Sequence, residues 1–515
     1  MNTEKTIKTS KRNITATTVF VIAVVALLYC PFFNMSMIIQ GYIGDAMIQI
    51  RTGLDMLSTH GLITDEIYSW HPDLNWVPHE EAWYFLVGLF YKIGGVAGVI
   101  ILTAIFNYTI AGIIFKKNLQ EKVNPYILVL TAAISRYFSF PNYNARPHLV
   151  SQLLFVILIY VMMDESKSEV KKIATFAVCT FLLGWFHGGT IPMFFVLYAV
   201  FIVIEIVYRN FRKAGIYALG LLAGAITSIL NPAGIKVWTY GLVLSGGEDV
   251  RLAIEEWAPK TFSAVEMALL LLLLVGFAVD KRLRDFDKNT VTKLCFYCMF
   301  IIMSCKYCRS MNFTALIVLM FCAEELQILL NWINDNTFKF NVSKFKLGDI
   351  SNYILIAFCV IFMVGMSAFS WIRFFPTNTL SDISVLAAYD EGVIDVLHEK
   401  DYDRIYNAFD TGSWLAYYGV PVHIDNRVDP YMEEFSGVDH IRGKMNIDNI
   451  DDMDSFVDQY DADALVLNLF PGTTDMLFAD DLYNSGRYNV VYDNTVSSPY
   501  DDSISFRWLI VECED

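Results

Sequence analysis

Eleven apolar stretches of roughly 16 to 24 residues recur along this 515-residue chain. A helix of about 20 apolar residues crosses the ~30 Å hydrocarbon layer of a bilayer while satisfying all of its backbone N–H and C=O groups internally. The stretches lie near 14–33, 96–115, 124–140, 147–163, 171–187, 190–208, 214–230, 262–280, 289–304, 311–331 and 351–373. A further run, EAWYFLVGLFYKIGG at 81–95, is short for a full crossing and reads as a short or interfacial helix. With 55% hydrophobic and 15% aromatic residues, the chain is excluded from the soluble globular class. The expectation is a polytopic α-helical membrane protein with about 11 to 13 membrane helices.

Charge fixes the predicted orientation. The start, MNTEKTIKTSKR, is basic and runs into an apolar stretch with no small-residue cleavage signal, which predicts an uncleaved signal anchor with residues 1–14 in the cytoplasm. Eleven crossings place KKNLQEK, SKSEVKK, YRNFRK, KRLRDFDK and the Lys-bearing loop 332–350 inside, whereas counting 81–95 as a twelfth places them all outside. The positive-inside rule selects eleven. Residues 376–515 carry 29 Asp and Glu against 7 Lys and Arg, a net of −22, so the remainder holds +6 of the total of −16. The predicted organisation is therefore a transmembrane domain over 15–374, with a first extracytoplasmic loop at 37–80, followed by an extracytoplasmic acidic domain over 375–515. Apolar runs such as ALVLNLF and YNVVY, alternating with helix-like stretches, make that tail a soluble α/β unit.

The first loop contains GYIGDAMIQIRTGLDMLSTHGLITDE, residues 41–66. On a wheel of about 100° per residue, Met47, Ile50, Leu54 and Leu57 form one apolar stripe, and Asp45, Gln49 and Thr52 fall opposite. The pattern predicts an amphipathic helix on the membrane that turns the Asp45 carboxylate away from the stripe.

Under this topology six polar clusters gather at the outer surface. They are Asp45 with Arg51, the HEE of His79, Glu80 and Glu81, the ARPH holding Arg146 and His148, the HGG beginning at His187, NPAG with EEWAP, and KYCRS with Lys306 and Arg309. Ionisable groups at membrane depth are unfavourable by ~2.5 to 3.5 kcal/mol each, so their collection on one side reads as a site. Snorkelling and helix capping account for such residues singly. Cys295, Cys298, Cys305 and Cys308 form two CxxC pairs on one helix face, but the pairs stand ~15 Å apart, too far to close around one zinc ion.

Mixed acids and bases at an outer interface suit a lipid-linked phosphate. Arg, Lys and His hold its negative charge, and a carboxylate takes the proton from an acceptor hydroxyl or amine. Those are the two halves of inverting glycosyl transfer from a polyprenyl-phosphate sugar, with the base on the ring face opposite the departing phosphate.

The motifs then resemble a family. GDAMIQIRTG, HGLITDEIYS and HEEAWYFLVGLFYKIGG are similar to the first-loop pattern of bacterial members of the GT-C superfamily of integral-membrane glycosyltransferases. That superfamily includes protein O-mannosyltransferases, the aminoarabinose transferase of lipid A and oligosaccharyltransferases. The resemblance implies a GT-C-like bundle, a polyprenyl-phosphate-sugar donor and a glycan, lipid or protein acceptor at the lipid bilayer, with no nucleic acid partner. It makes Asp45 the catalytic carboxylate, with a second acidic position at Glu80 or Glu81. Asp45 with Glu80 or Glu81 would either ligate Mg2+ or Mn2+ or act as bases. NPAG and EEWAP resemble the NP.G and EW.P of bacterial relatives and add Glu256 and Trp257 to the substrate-binding candidates, beside Arg51, His79, Arg146, His148, His187, Lys306 and Arg309. In the tail, YNAFDTGSWLAYYGVPVHIDNRVDPY at 406–431 resembles a stretch of bacterial GT-C-like proteins and, without its double tryptophan, the WWDYG region of oligosaccharyltransferases. There Asp410, Asp425 and Arg427 would either face a ligand or form a turn network that folds the domain.

Two other classes fit a polytopic chain. A lipid-linked saccharide flippase would carry ionisable groups through the bilayer depth, where this sequence holds little beyond Glu205. A non-catalytic envelope-assembly protein would account for the acidic outer domain but not for Asp45 beside an HEE cluster.

Overall fold

The computed structural model describes residues 16–28, 42–139, 145–246, 258–336, 348–374, 388–470, 475–498 and 501–513. Each of the eleven apolar stretches contains a helix, beginning with Ala16–Leu28 and ending with Asp349–Phe374. Among the described residues, three helical stretches, Glu81–Gln120, Gly188–Val207 and Cys308–Asp335, are long and apolar enough to cross a membrane by length and composition. The short run at 81–95 and the stretch at 96–115 are parts of one 40-residue element, Glu81–Gln120. Gly95 breaks it with φ +59° and ψ −147°, a conformation that a side chain would oppose.

The helix Met47–Thr59 forms where the amphipathic pattern predicts, but it does not bury the predicted stripe as such, since Leu54 and Leu57 are only half-buried. Gln49, Thr52, Gly53 and Met56 are buried together with Met47 and Ile50. Gln49 is accommodated because its Oε1 accepts the Trp83 indole N–H at 2.8 Å, and Thr52 because its hydroxyl donates to the Ile48 carbonyl at 2.8 Å. Gly53 sets the closeness of the packing. A Cβ there would lie 2.0 Å from the Tyr84 carbonyl oxygen and 2.9 Å from the Cα of Gly88, so two glycines let this helix rest on the start of Glu81–Gln120.

The C-terminal part of the chain combines a small sheet with helices among the described residues. Its four strands are β1 (Ile405–Asn407), β2 (Ala464–Leu469), β3 (Tyr488–Ser498) and β4 (Asp501–Cys513), in the order β1-β2-β4-β3. β1 and β2 are parallel, and the other pairs are antiparallel. Continuous burial along β2, through Leu465, Val466 and Leu467, fits a strand covered on both faces.

The first loop is the adapter between the two parts. Ser69 and Val422 form a parallel bridge, the Trp70 indole donates to the Ile405 carbonyl at 2.9 Å, and Arg51 donates to the Tyr417 carbonyl at 2.8 Å. Arg427 is enclosed deeper in the joint, with Nη1 2.6 Å from Glu66 and its guanidinium over the rings of Tyr68 and Trp76. His71 of the loop contacts His423 at 2.9 Å, beside His440.

Candidate active site between the first loop and the bundle

Asp45 lies in the turn Tyr42–Ala46, where Gly44 leaves helical geometry (φ −78°, ψ −127°) just ahead of the loop helix. Arg146 approaches from the stretch that opens the helix His148–Met163, with Nε 3.0 Å from Asp45 Oδ2. Two of the six sequence clusters thus meet through an ion pair.

The HEE stretch builds a second group. His79 donates from Nδ1 to the Val77 carbonyl at 2.6 Å, which leaves Nε2 toward Glu80, 3.6 Å from Oε1. The same Glu80 oxygen lies 4.0 Å from Nε2 of His187, whose Nδ1 is held at 2.6 Å by the Ser151 hydroxyl. The HGG motif explains the closeness of these elements. A Cβ on Gly188 would lie 2.2 Å from Val237 Cγ2 and 3.1 Å from His79 Cβ, while the Gly188 N–H donates to the His79 carbonyl at 2.9 Å. Tyr240 stacks on the His79 ring at 3.7 Å between centroids.

Burial alone would push the His79 imidazole down. The Glu80 carboxylate beside it, with Asp429 adding to the effect, outweighs that and lifts it to about 9, so His79 is a cation at neutral pH. Glu81, the first residue of its helix, is fully buried, and neither of its carboxylate oxygens has a hydrogen-bond partner among the described residues. Arg309 and His148 lie within electrostatic reach of His187, and Tyr240 senses Asp45, Glu80, Arg309 and Asp429. Asp45, His79, Glu80, Arg146, His148, His187 and Arg309 therefore share one region.

Other sequence candidates lie elsewhere. Arg51 pairs with Asp55 at 2.9 Å and braces the C-terminal domain. Lys306 sits exposed over the ring of its neighbour Tyr307. Asp410 is exposed on the helix Phe409–Tyr417. Asp425 and Arg427 are buried in a mutual ion pair that also engages Glu66 and the Tyr431 hydroxyl, the arrangement of a folding network. Glu256 and Trp257 lie outside the described residues.

Sequence reasoning passed over two members of the site, Tyr240 and Asp429. Asp429 comes from the C-terminal domain, is fully buried, and accepts the Val77 N–H at 3.4 Å. Burial raises its carboxyl to about 7, against the opposing pull of His79 and Arg427. The signal in the sequence is its place in IDNRVDPY, beside Asp425 and Arg427.

A divalent cation held by Asp45 with Glu80 does not fit this donor set, and the unpartnered Glu81 carboxylate completes no ligand set among the described residues. Asp45 is engaged by a guanidinium and Glu80 lies between two imidazoles. Among the described residues, no three His, Cys, Asp or Glu side chains are disposed to hold a metal ion.

No protein-family model matches the chain, and no curated protein sequence matches it. Solved structures do. The crystal structure of the Archaeoglobus fulgidus oligosaccharyltransferase in the apo form aligns with a TM-score of 0.53 at 11% identity, over 89% of this chain and 70% of that one. The same enzyme tethered to an acceptor peptide containing the NVT sequon aligns at 0.54 and 11% identity, over 96% of this chain and 74% of that one. Archaeal AglB in complex with an inhibitory peptide and a dolichol-phosphate gives 0.54 and 10% identity, with the same coverage of 96% and 74%. At such identities the likeness speaks for architecture alone: the chain shares the fold of the archaeal oligosaccharyltransferase.

Proposed function

We propose that the protein is a multi-pass membrane glycosyltransferase that moves a sugar from a polyprenyl-phosphate donor to a glycan, lipid or protein acceptor at the outer face of the membrane. The observation that carries this reading is the Asp45–Arg146 pair, which joins the turn before the loop helix to the stretch that opens the helix His148–Met163. Supporting it, the structures with the same fold include one bound to a dolichol-phosphate and one tethered to an acceptor peptide.

In the proposed step the acceptor oxygen or nitrogen bonds to the anomeric carbon from the face opposite the phosphate. The carbon–oxygen bond to phosphate breaks, its electron pair leaves with the polyprenyl phosphate, and the acceptor proton passes to Asp45. Arg309, with His148 and the cationic His79 nearby, stabilises charge on the leaving phosphate. Arg146 orients the Asp45 carboxylate through their ion pair.

Purified protein incubated with a panel of polyprenyl-phosphate sugars and membrane-derived acceptors tests the reading. Sugar-dependent release of polyprenyl phosphate is the expected result. Movement of intact lipid-linked saccharide across vesicles, without release, would replace this reading with that of a flippase.

A further inference from the structure

Asp429 is placed by an unusual piece of backbone. Val428 adopts φ +65° and ψ −56°, and the Asp429 N–H bonds back to the Arg427 carbonyl at 2.7 Å. This is a γ-turn of the rare, strained hand, on a β-branched residue that disfavours positive φ. Such strain persists only where the surroundings over-determine it, and it concentrates at functional sites. On one side, Arg427 is fixed by Asp425 and Glu66. On the other, Ile424, Val428 and Tyr431 pack with Val77 and Tyr240 in one small core.

The strained turn delivers a carboxylate whose bonding is incomplete. Oδ2 accepts the Val77 N–H at a long 3.4 Å, while Oδ1 is buried with no hydrogen-bond partner among the described residues. Val77 uses its other backbone group to fix His79, so one residue anchors both the Asp429 carboxylate and the imidazole beside Glu80. A buried, unpartnered carboxylate oxygen is unfavourable in a purely structural role, and a bound hydrogen-bond donor removes that penalty.

We propose that Asp429 is a substrate-binding residue contributed to this site by the C-terminal domain, its Oδ1 taking a hydrogen bond from a hydroxyl or amine of the bound ligand. This rests on the glycosyltransferase reading for its meaning. The hydroxyl or amine belongs either to the donor sugar or to the acceptor, and the two sources are separable.

The test reads occupancy without turnover. Dicyclohexylcarbodiimide adds to protonated carboxyls in apolar surroundings, so peptide mass spectrometry of the full-length protein in mildly acidic buffer should find Asp429 modified. A polyprenyl-phosphate hexose, or glucosamine as a hydroxyl- and amine-bearing probe, should slow that modification by about 10-fold or more. Protection by the first identifies the donor sugar, and protection by the second an acceptor-type ligand. Asp429→Asn should then raise the KM of that one substrate by roughly 10- to 100-fold, leaving the other KM and the thermal midpoint unchanged. Modification that neither probe slows, or a parallel loss for both substrates with a lowered midpoint, would overturn the proposal. If the wild type transfers no sugar, the glycosyltransferase reading falls, and the protection result still decides whether Asp429 meets a ligand.

Discussion

Arg146 Nε lies 3.0 Å from Asp45 Oδ2, which joins the turn before the loop helix to the stretch that opens the helix His148–Met163. If Arg146 acts through Asp45, the two residues are one functional unit. Asp45→Asn keeps the size of the side chain and removes the proton acceptor, so turnover should fall by ~10²- to 10⁴-fold while folding survives. Arg146→Ala should also lower kcat, yet have little further effect in the Asp45→Asn background. Losses that multiply in the double variant would show Arg146 working independently, on the donor phosphate.

Chelation probes the same pair from another side. Asp45 already meets a guanidinium and Glu80 two imidazoles, so the pairings observed need no metal ion. Transfer measured after exhaustive EDTA treatment should run at an unchanged rate. A rate that collapses and returns with Mn2+ would mean that these carboxylates abandon their observed partners for a metal.

Sidedness is tested on surface positions in a cysteine-free variant. The Asp461 side chain is 95% exposed on the C-terminal domain, and Asp285 is exposed in the KRLRDFDK loop. Asp461→Cys should react with an impermeant thiol reagent on intact cells, and Asp285→Cys should react only after lysis. The reverse pattern would invert the eleven-crossing topology and move the candidate site to the cytoplasmic face.

The helices were legible because apolar length is a strong signal, and Asp45, the HEE, ARPH and HGG clusters because ionisable groups stand out against that background. What was hidden depends on contacts distant in sequence. Gln49 and Thr52 read as an outward polar face, since nothing local reveals that Trp83 and the Ile48 carbonyl satisfy them inside a close helix contact. Asp429 was hidden because its orientation depends on a positive φ at Val428, held by Arg427 and a loop residue, Glu66, 361 positions away. Asp425 and Arg427 left two readings open, a ligand contact or a turn network; their pairing is local, two residues apart, and what the sequence hid is the loop residue Glu66 that completes the network.

The docking of the first loop should weaken in acid through a histidine cluster. His71 of the loop lies 2.9 Å from His423 and stacks within 4.0 Å of His440, with Lys444, Tyr460 and Trp70 packed around them and Asp439 nearby. Burial, reinforced by His423, His440 and Lys444, pushes His71 down to about 2; burial with His440 pushes His423 to about 3, and burial with Lys444, against Asp439, pushes His440 to about 4. All three are therefore neutral when docked. Once exposed they regain an ordinary value near 6.5, so below that pH the undocked form binds more protons. The stabilisation from their neutral packing is fully present above about pH 6.5 and is lost as pH falls from there toward the docked values, by up to ~2 kcal/mol at pH 5 for the best buried, His423. Carboxylates also contribute to acid instability, so the measurement is a comparison. The thermal midpoint of the wild type should drop more between pH 7 and pH 5 than that of His71→Asn, which keeps a donor toward His423 but cannot titrate in this range. Equal drops in the two proteins would show that the cluster stays docked and unprotonated, leaving the acid response to the carboxylates.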